Sequence, residues 1–322
     1  MASPYPGKTT NLVGYNGIFP GPTFKIQRGR ETLVRFVNEY TRPSSVHLHG
    51  SPTRSPWDGW AENTYLPGQY LVIIPHHHAS TQTDIYREKD YYYPNNQAGR
   101  TLWYHDHALH ITAENAYFGQ AGFYILEDPV KDAALQLPTG NYDIPLMINS
   151  VQYKTNGQLV SPVGNTDSLY GDVIQVNGQP WPFLNVEPRK YRFRLLDASI
   201  SRTFKLSLRT SSNTAIPFQV IASDAGYLES PQTTTSLFIA MAERYEIVVD
   251  FAAYAGKEIT VKNERDVMAD EDYNGTNRVM KFKVGSTVTD ATRNGAPPSA
   301  LATVKFPPPK TTVDRRFKFE RT

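Results

Sequence analysis

Two His-x-His pairs, Ser45-Val46-His47-Leu48-His49-Gly50 and Trp103-Tyr104-His105-Asp106-His107-Ala108, restrict this chain more than any other feature. β-Branched and aromatic residues flank both pairs, so both read as strand ends. On an extended strand, residues two apart point to one face and sit about 6.5–7 Å apart along the backbone. Each pair therefore projects two imidazoles into one space and turns Leu48 and Asp106 away. Four imidazoles converging from two strands suit copper, zinc or iron, all of which accept neutral imidazole. All eight histidines lie between His47 and His110, and the chain has no cysteine. Residues 111–322 thus offer no imidazole or thiolate to a soft metal, and a site needing more than these four strong ligands must take them from elsewhere.

The remaining pattern is all-β. Alternating segments such as Thr32-Leu33-Val34-Arg35-Phe36-Val37 and Tyr245-Glu246-Ile247-Val248-Val249-Asp250 are punctuated by Gly, Pro, Asn and Asp. No segment sustains a helical period, and only a short turn of helix is expected at Asp132-Ala133-Ala134-Leu135. Lys plus Arg number 33 against 31 Asp plus Glu, a net of +2, which implies no nucleic-acid partner. No apolar run is long enough to span a bilayer, so no membrane partner is expected. Residues 1–8 lack a hydrophobic signal core, so the sequence assigns no compartment. A lone Asn274-Gly275-Thr276 sequon is compatible with secretion.

An internal echo divides the chain. Asn16-Gly17-Ile18-Phe19-Pro20-Gly21-Pro22-Thr23-Phe24 leads into one charged strand, and Asn177-Gly178-Gln179-Pro180-Trp181-Pro182-Phe183 leads into another at Tyr191-Arg192-Phe193-Arg194-Leu195. Two related β-sandwich domains follow from this reading. Residues 1–127 would bind metal, and residues 128–285 would be structural and metal-free, with the boundary in the turn Glu127-Asp128-Pro129. Residues 286–322, with Ala296-Pro297-Pro298 and Phe306-Pro307-Pro308-Pro309, read as a stiff linker that enters one further strand, as in a truncated chain.

The segments Val46–Gly50, Asp58-Gly59-Trp60-Ala61-Glu62, Asp90–Asn95 and Leu102–His107 resemble those of multicopper oxidases. Ala113–Gly122, Val176–Phe183 and Met241-Ala242-Glu243-Arg244-Tyr245-Glu246 are similar to the bilirubin oxidase-like branch of that family. The resemblance runs from about Asn11 to Thr322. It implies cupredoxin-like Greek-key β-sandwiches, of which this chain holds the first two and lacks the third. It also implies copper: His47 as a ligand of the type 2 ion, and His49, His105 and His107 as ligands of the type 3 pair in a trinuclear cluster. Asp58 matches the family's acidic residue beside the type 2 site, where it orients ligand or water and aids proton delivery. Its plainer reading is a turn aspartate before Gly59. The resemblance gives His110 no ligand role, and a packing histidine is expected there.

The implied activity is one-electron oxidation of phenolic or tetrapyrrole (bilirubin-like) substrates coupled to reduction of dioxygen to water. Three departures qualify it. The third domain, with the remaining trinuclear ligands and the whole type 1 site, is missing, so catalysis needs a full-length form or a separate chain carrying that domain. Family members, usually secreted, begin earlier. Residues 71–88, with His76-His77-His78, intervene where the family passes almost directly from Pro67-Gly68 to Lys89-Asp90, and read as an exposed loop or as intron sequence carried into the chain. The alternative is a non-catalytic copper-binding or inert two-domain remnant.

Overall fold

In β1 (Gly21–Gln27) and β2 (Thr32–Val37) exposed and covered residues alternate, with Phe24, Ile26, Val34 and Phe36 turned inward. The computed structural model in which they lie describes residues 5–67, 88–164, 167–264, 273–304 and 316–318. Of the intervening stretch 71–88, only Glu88 is among the described residues; the His76–His78 run lies outside them.

Four more strands complete the first sandwich: β3 (Val46–His49), β4 (Glu88–Tyr93), β5 (Arg100–Asp106) and β6 (Ala121–Glu127). One layer has the order β1-β6-β5-β3, and the other is the antiparallel pair β2-β4. Between them pack Val46, Leu48, Leu102, Tyr91, Tyr93, Tyr104 and Tyr124. The rings meet edge-on or tilted, Phe36 against Tyr91 at 5.6 Å and Tyr15 against Tyr104 at 4.9 Å. Such pairs add about 0.5–1.5 kcal/mol each beyond burial.

β5 is buried on both faces. Leu102 and Tyr104 enter the first core, while Trp103, with Ala121 and Phe123 of β6, packs on Met147 and Leu196 of the second sandwich. A strand covered on both sides reads as a near-continuous apolar run, which Leu102-Trp103-Tyr104 is.

The second sandwich sets a seven-stranded sheet against a six-stranded one. In the larger sheet β7 (Asp143–Val151) runs parallel to the strand Lys190–Asp197, which pairs antiparallel with Arg244–Asp250. Phe193, Phe204, Phe218, Phe251 and Phe282 form its aromatic core. The internal echo appears in the backbone. Asn16 and Gly17 take φ of 53° and 68°, and Asn177 and Gly178 take 50° and 77°, the left-handed region that Asn and Gly tolerate. In each sandwich the strand that follows the proline-aromatic entry after that turn pairs in parallel with the last strand, β1 with β6 and Phe183–Val186 with Arg278–Val284.

A polar seam extends the contact between the sandwiches. Thr101 of β5 donates to Glu246 at 2.7 Å, and Arg194 donates to both Thr101 (3.0 Å) and Glu246 (2.8 Å). Arg194 also grips Asp143 through two bonds of 2.8 Å, and Arg192 pairs with Glu246. Burial pushes the carboxyls of Asp143 and Glu246 up, but the two guanidinium groups outweigh it and hold both below their ordinary values.

β6 ends at Glu127, and Asp128 caps α1 (Pro129–Leu135) by accepting from Lys131 N at 3.2 Å. With Pro129 at its first turn, this helix starts earlier than the turn expected at Asp132. Past Gly285 the chain lies along the second sandwich: Arg189 donates to the carbonyls of Asp290 and Thr292, and buried Leu301 donates to Glu229 O at 2.8 Å. Among the described residues, no helix is long and apolar enough to cross a membrane.

Candidate metal centre

Register brings the two His-x-His pairs together. β3 and β5 run antiparallel with His47 opposite His105 and His49 opposite Trp103. Val46, Leu48 and Tyr104 occupy the core side of the sheet, so all four imidazoles share the other side. His47 lies 5.6, 5.5 and 5.3 Å, ring centre to ring centre, from His49, His105 and His107. His47, His49 and His105 each offer a nitrogen within 4.8 Å of the other two.

Hydrogen bonds assign the nitrogens. His47 Nδ1 is 2.6 Å from the carbonyl of Asp58, and His105 Nδ1 is 2.7 Å from the carbonyl of Asp106. A carbonyl only accepts, so each Nδ1 carries the proton and, in a neutral ring, each Nε2 keeps a lone pair for a metal. His49 Nδ1 faces His105 Nε2 at 3.3 Å. Two imidazole nitrogens on one ion, with bonds of about 2.0–2.1 Å, stand about 2.9–3.4 Å apart for angles between square and tetrahedral. The observed spacing falls in that range. His107 Nδ1 is buried and has no hydrogen-bond partner among the described residues.

Both rings of the close pair are held neutral. Burial pushes His105 down to about 3, against the opposing pull of the Asp106 carbonyl. Burial also lowers His49 to about 4, and the Arg244 guanidinium adds to it. Neutral imidazole is the ligating form, so this donor set fits a metal that binds nitrogen.

Asp58 closes the 3-10 turn Ser55–Trp57 and places Oδ1 3.4 Å from His47 Nδ1. Partial burial raises its carboxyl above the ordinary value, while His47 and His107 pull it down. The approach depends on Gly59: its φ is +71°, and a Cβ there would fall 2.2 Å from Val46 O. Asp58 is thus a turn residue and a neighbour of His47 at once.

Trp103 and Arg244 are site residues that sequence reasoning passed over. The Trp103 indole stacks on His49 at 5.3 Å and lies 4.2 Å from His105. Arg244, from the second sandwich, donates to Thr101 O at 3.1 Å and pairs with Asp224 at 3.0 Å. Its Nη2 would be 2.6 Å from a Cβ on Gly50, the glycine that follows the first pair. Trp103 was visible as the same-face neighbour of His105 on β5; Arg244 stood in the Met241–Glu246 segment, but nothing there placed it at the site, because its contact is made across the seam. His110 is exposed rather than packed. The chain turns there with Ile111 N on Ala108 O at 3.2 Å and φ +64° at His110, which carries the ring away from the strand.

Comparison with known proteins identifies the family. Two profiles described as multicopper oxidase match residues 1–131 and 103–281. The chain is 51% identical to the bilirubin oxidase of Albifimbria verrucaria over 98% of its own length and 53% of that protein's. It is 35% identical to the laccase of Bacillus subtilis (strain 168), covering 85% of this chain and 57% of the laccase. Among solved structures, the McoA multicopper oxidase of Aquifex aeolicus superposes with a TM-score of 0.76 at 28% identity, over 94% of this chain and 62% of McoA. The laccase of Pediococcus acidilactici gives 0.77 at 26% identity, over 96% and 59%. The chain therefore spans about half the length of the curated relatives it matches.

Proposed function

The chain belongs to the multicopper oxidase family, and on that basis we propose that it supplies one half of a trinuclear copper centre. His49 and His105 would share one type 3 copper, His107 would serve the other, and His47 would hold the type 2 copper through Nε2. The observation that carries this reading is the 3.3 Å approach of His49 Nδ1 to His105 Nε2, with the other nitrogen of His105 fixed by a carbonyl. When bound, copper supplies the redox chemistry that passes single electrons from an organic substrate to dioxygen.

The protein's own groups have separable tasks. The carbonyls of Asp58 and Asp106 orient His47 and His105. Trp103 covers one face of His49, and the seam residues keep water from the Thr101 end of β5. The Asp58 carboxyl stands beside His47, where it can hold or pass a proton as oxygen is reduced. The substrate class that fits the relatives is phenolic or bilirubin-like. Its electrons would enter at a mononuclear copper with a cysteine ligand, and residues 1–322 contain no cysteine. That ligand, and the rest of the trinuclear set, would come from a further domain on the same or another polypeptide. We also assign residues 1–127 as the metal-binding unit and 128–285 as its structural neighbour.

The test is copper stoichiometry with visible and EPR spectra and oxygen uptake on residues 1–322. The expected result is one or two coppers, lost in a His49→Ala/His105→Ala double variant, with no intense blue band and no oxygen uptake. No copper bound, or binding indifferent to both histidines, would overturn the reading.

A further inference from the structure

The middle residue of the second pair is held by four side-chain hydrogen bonds, and no ligand role accounts for them. Strand alternation turns the Asp106 side chain to the core side, where it is fully buried. Its carboxylate accepts four hydrogen bonds. Ser44 Oγ and Ser45 N donate to Oδ1 at 2.9 and 3.0 Å; Ala108 N and Asn115 Nδ2 donate to Oδ2 at 3.0 Å each. Ser44 and Ser45 are the entry to β3, which bears His47 and His49. Ala108 follows His107, and Asn115 lies on the short helix Thr112–Tyr117. The backbone of Asp106 is engaged as well: its carbonyl fixes His105 Nδ1, and its N–H donates to Gln120 O at 3.1 Å. The same clamp is closed from the other side by His107 N on Ser45 O at 2.6 Å.

We propose that Asp106 is a positioning residue for the metal centre, setting the separation of the two His-x-His pairs by joining the entry of one histidine strand to the exit of the other. The proposal rests on the copper reading above. A carboxylate is required because each oxygen serves a backbone N–H, Ser45 on one side and Ala108 on the other. An asparagine offers one oxygen, so whichever way its amide turns, its NH2 meets one of those donors. The strand ends must then part, and the His49–His105 spacing changes with them.

The experiment uses residues 1–322 in three forms: native, Asp106→Asn and the milder Ser44→Ala, which deletes one of the four bonds. Copper(I) affinity by competition with a chromophoric chelator, copper(II) EPR and melting of the metal-free chain are measured on each. Asp106→Asn is expected to weaken copper(I) binding roughly 10–100-fold, the usual cost of losing an outer partner of a metal ligand, and to change the copper(II) hyperfine splitting. Ser44→Ala should shift affinity and spectrum in the same direction by less. A lower melting temperature with unchanged affinity and spectrum would make Asp106 merely structural and overturn the proposal. If Asp106→Asn does not fold, Ser44→Ala decides alone: unchanged affinity and spectrum overturn it. A native chain that binds no copper removes the copper reading and this proposal together, whereas native binding unaffected by either substitution removes only the proposal.

Discussion

The Nδ1 of His49 stands 3.3 Å from the Nε2 of His105, across 56 residues of sequence. Nothing local produces that approach. It follows from the β3–β5 register, which sets His47 opposite His105 and leaves His49 beside Trp103.

The histidines should therefore differ in importance. His105→Ala is expected to lower the affinity for the first copper by at least about 100-fold, because a single imidazole then remains of the close pair. His107→Ala should leave that first ion within about threefold, since it stands outside the three histidines whose nitrogens lie within 4.8 Å of one another and, on the proposed reading, serves the other type 3 ion. Chelator competition on the two variants checks this, and equal losses would count against the pairing.

Asp58 and Gly59 separate chemistry from architecture. Asp58→Asn keeps the backbone carbonyl on His47 Nδ1, so copper affinity should stay within about threefold. A proton-transfer role predicts slowed oxygen reduction in any complete oxidase assembled with this chain. Gly59→Ala places a methyl 2.2 Å from Val46 O at a positive φ, and should cost roughly 2–4 kcal/mol in urea unfolding.

The seam between the sandwiches should be acid-labile. Asp143 and Glu246 are held below the ordinary carboxyl values, which are about 3.9 and 4.3 in the unfolded chain. Their stabilisation is then full above about pH 5, and is lost as the pH falls through the lower folded values. Melting temperature should be flat from neutrality to about pH 5 and drop below it. Glu246→Gln, which leaves Arg192 and Arg194 with less counter-charge, should cost about 3–5 kcal/mol at neutral pH and blunt that drop. An unaltered acid profile in Glu246→Gln would disprove the assignment.

Trp103 serves two partners at once. Trp103→Ala removes a buried indole from the apolar seam and should destabilise by about 3–5 kcal/mol. It also uncovers His49, so copper release to a chelator should accelerate. Trp103→Phe should restore most of the stability, which distinguishes lost packing from a lost hydrogen bond, since Nε1 has no partner among the described residues.

Much of this was legible in the residues themselves. His-x-His spacing, strand alternation and the repeated Asn-Gly turn lead to two sandwiches with four imidazoles on one side of a sheet. What periodicity cannot supply is the identity of the cover. It turns Asp106 away from the imidazoles without naming Ser44, Ser45, Ala108 and Asn115 as the groups that make its burial tolerable. It aligns Trp103 with His105 but not with Met147 and Leu196, which come from another sandwich. Arg244 escaped for the same reason. His110 was misjudged because β5 ends at Asp106 and a turn with a left-handed φ at His110, invisible to alternation, follows it.

The double burial of β5 also bears on how such a protein can be cut and inherited. A gene fragment ending at Glu127 would encode all four imidazoles that this chain brings together, yet leave Trp103 and Phe123 facing water and Thr101 without Glu246. Exposing two aromatic side chains alone forfeits about 3–6 kcal/mol, a large part of a small domain's margin. The unit that recombination can move without exposing that face is then the pair of sandwiches, although these four histidines all belong to the first.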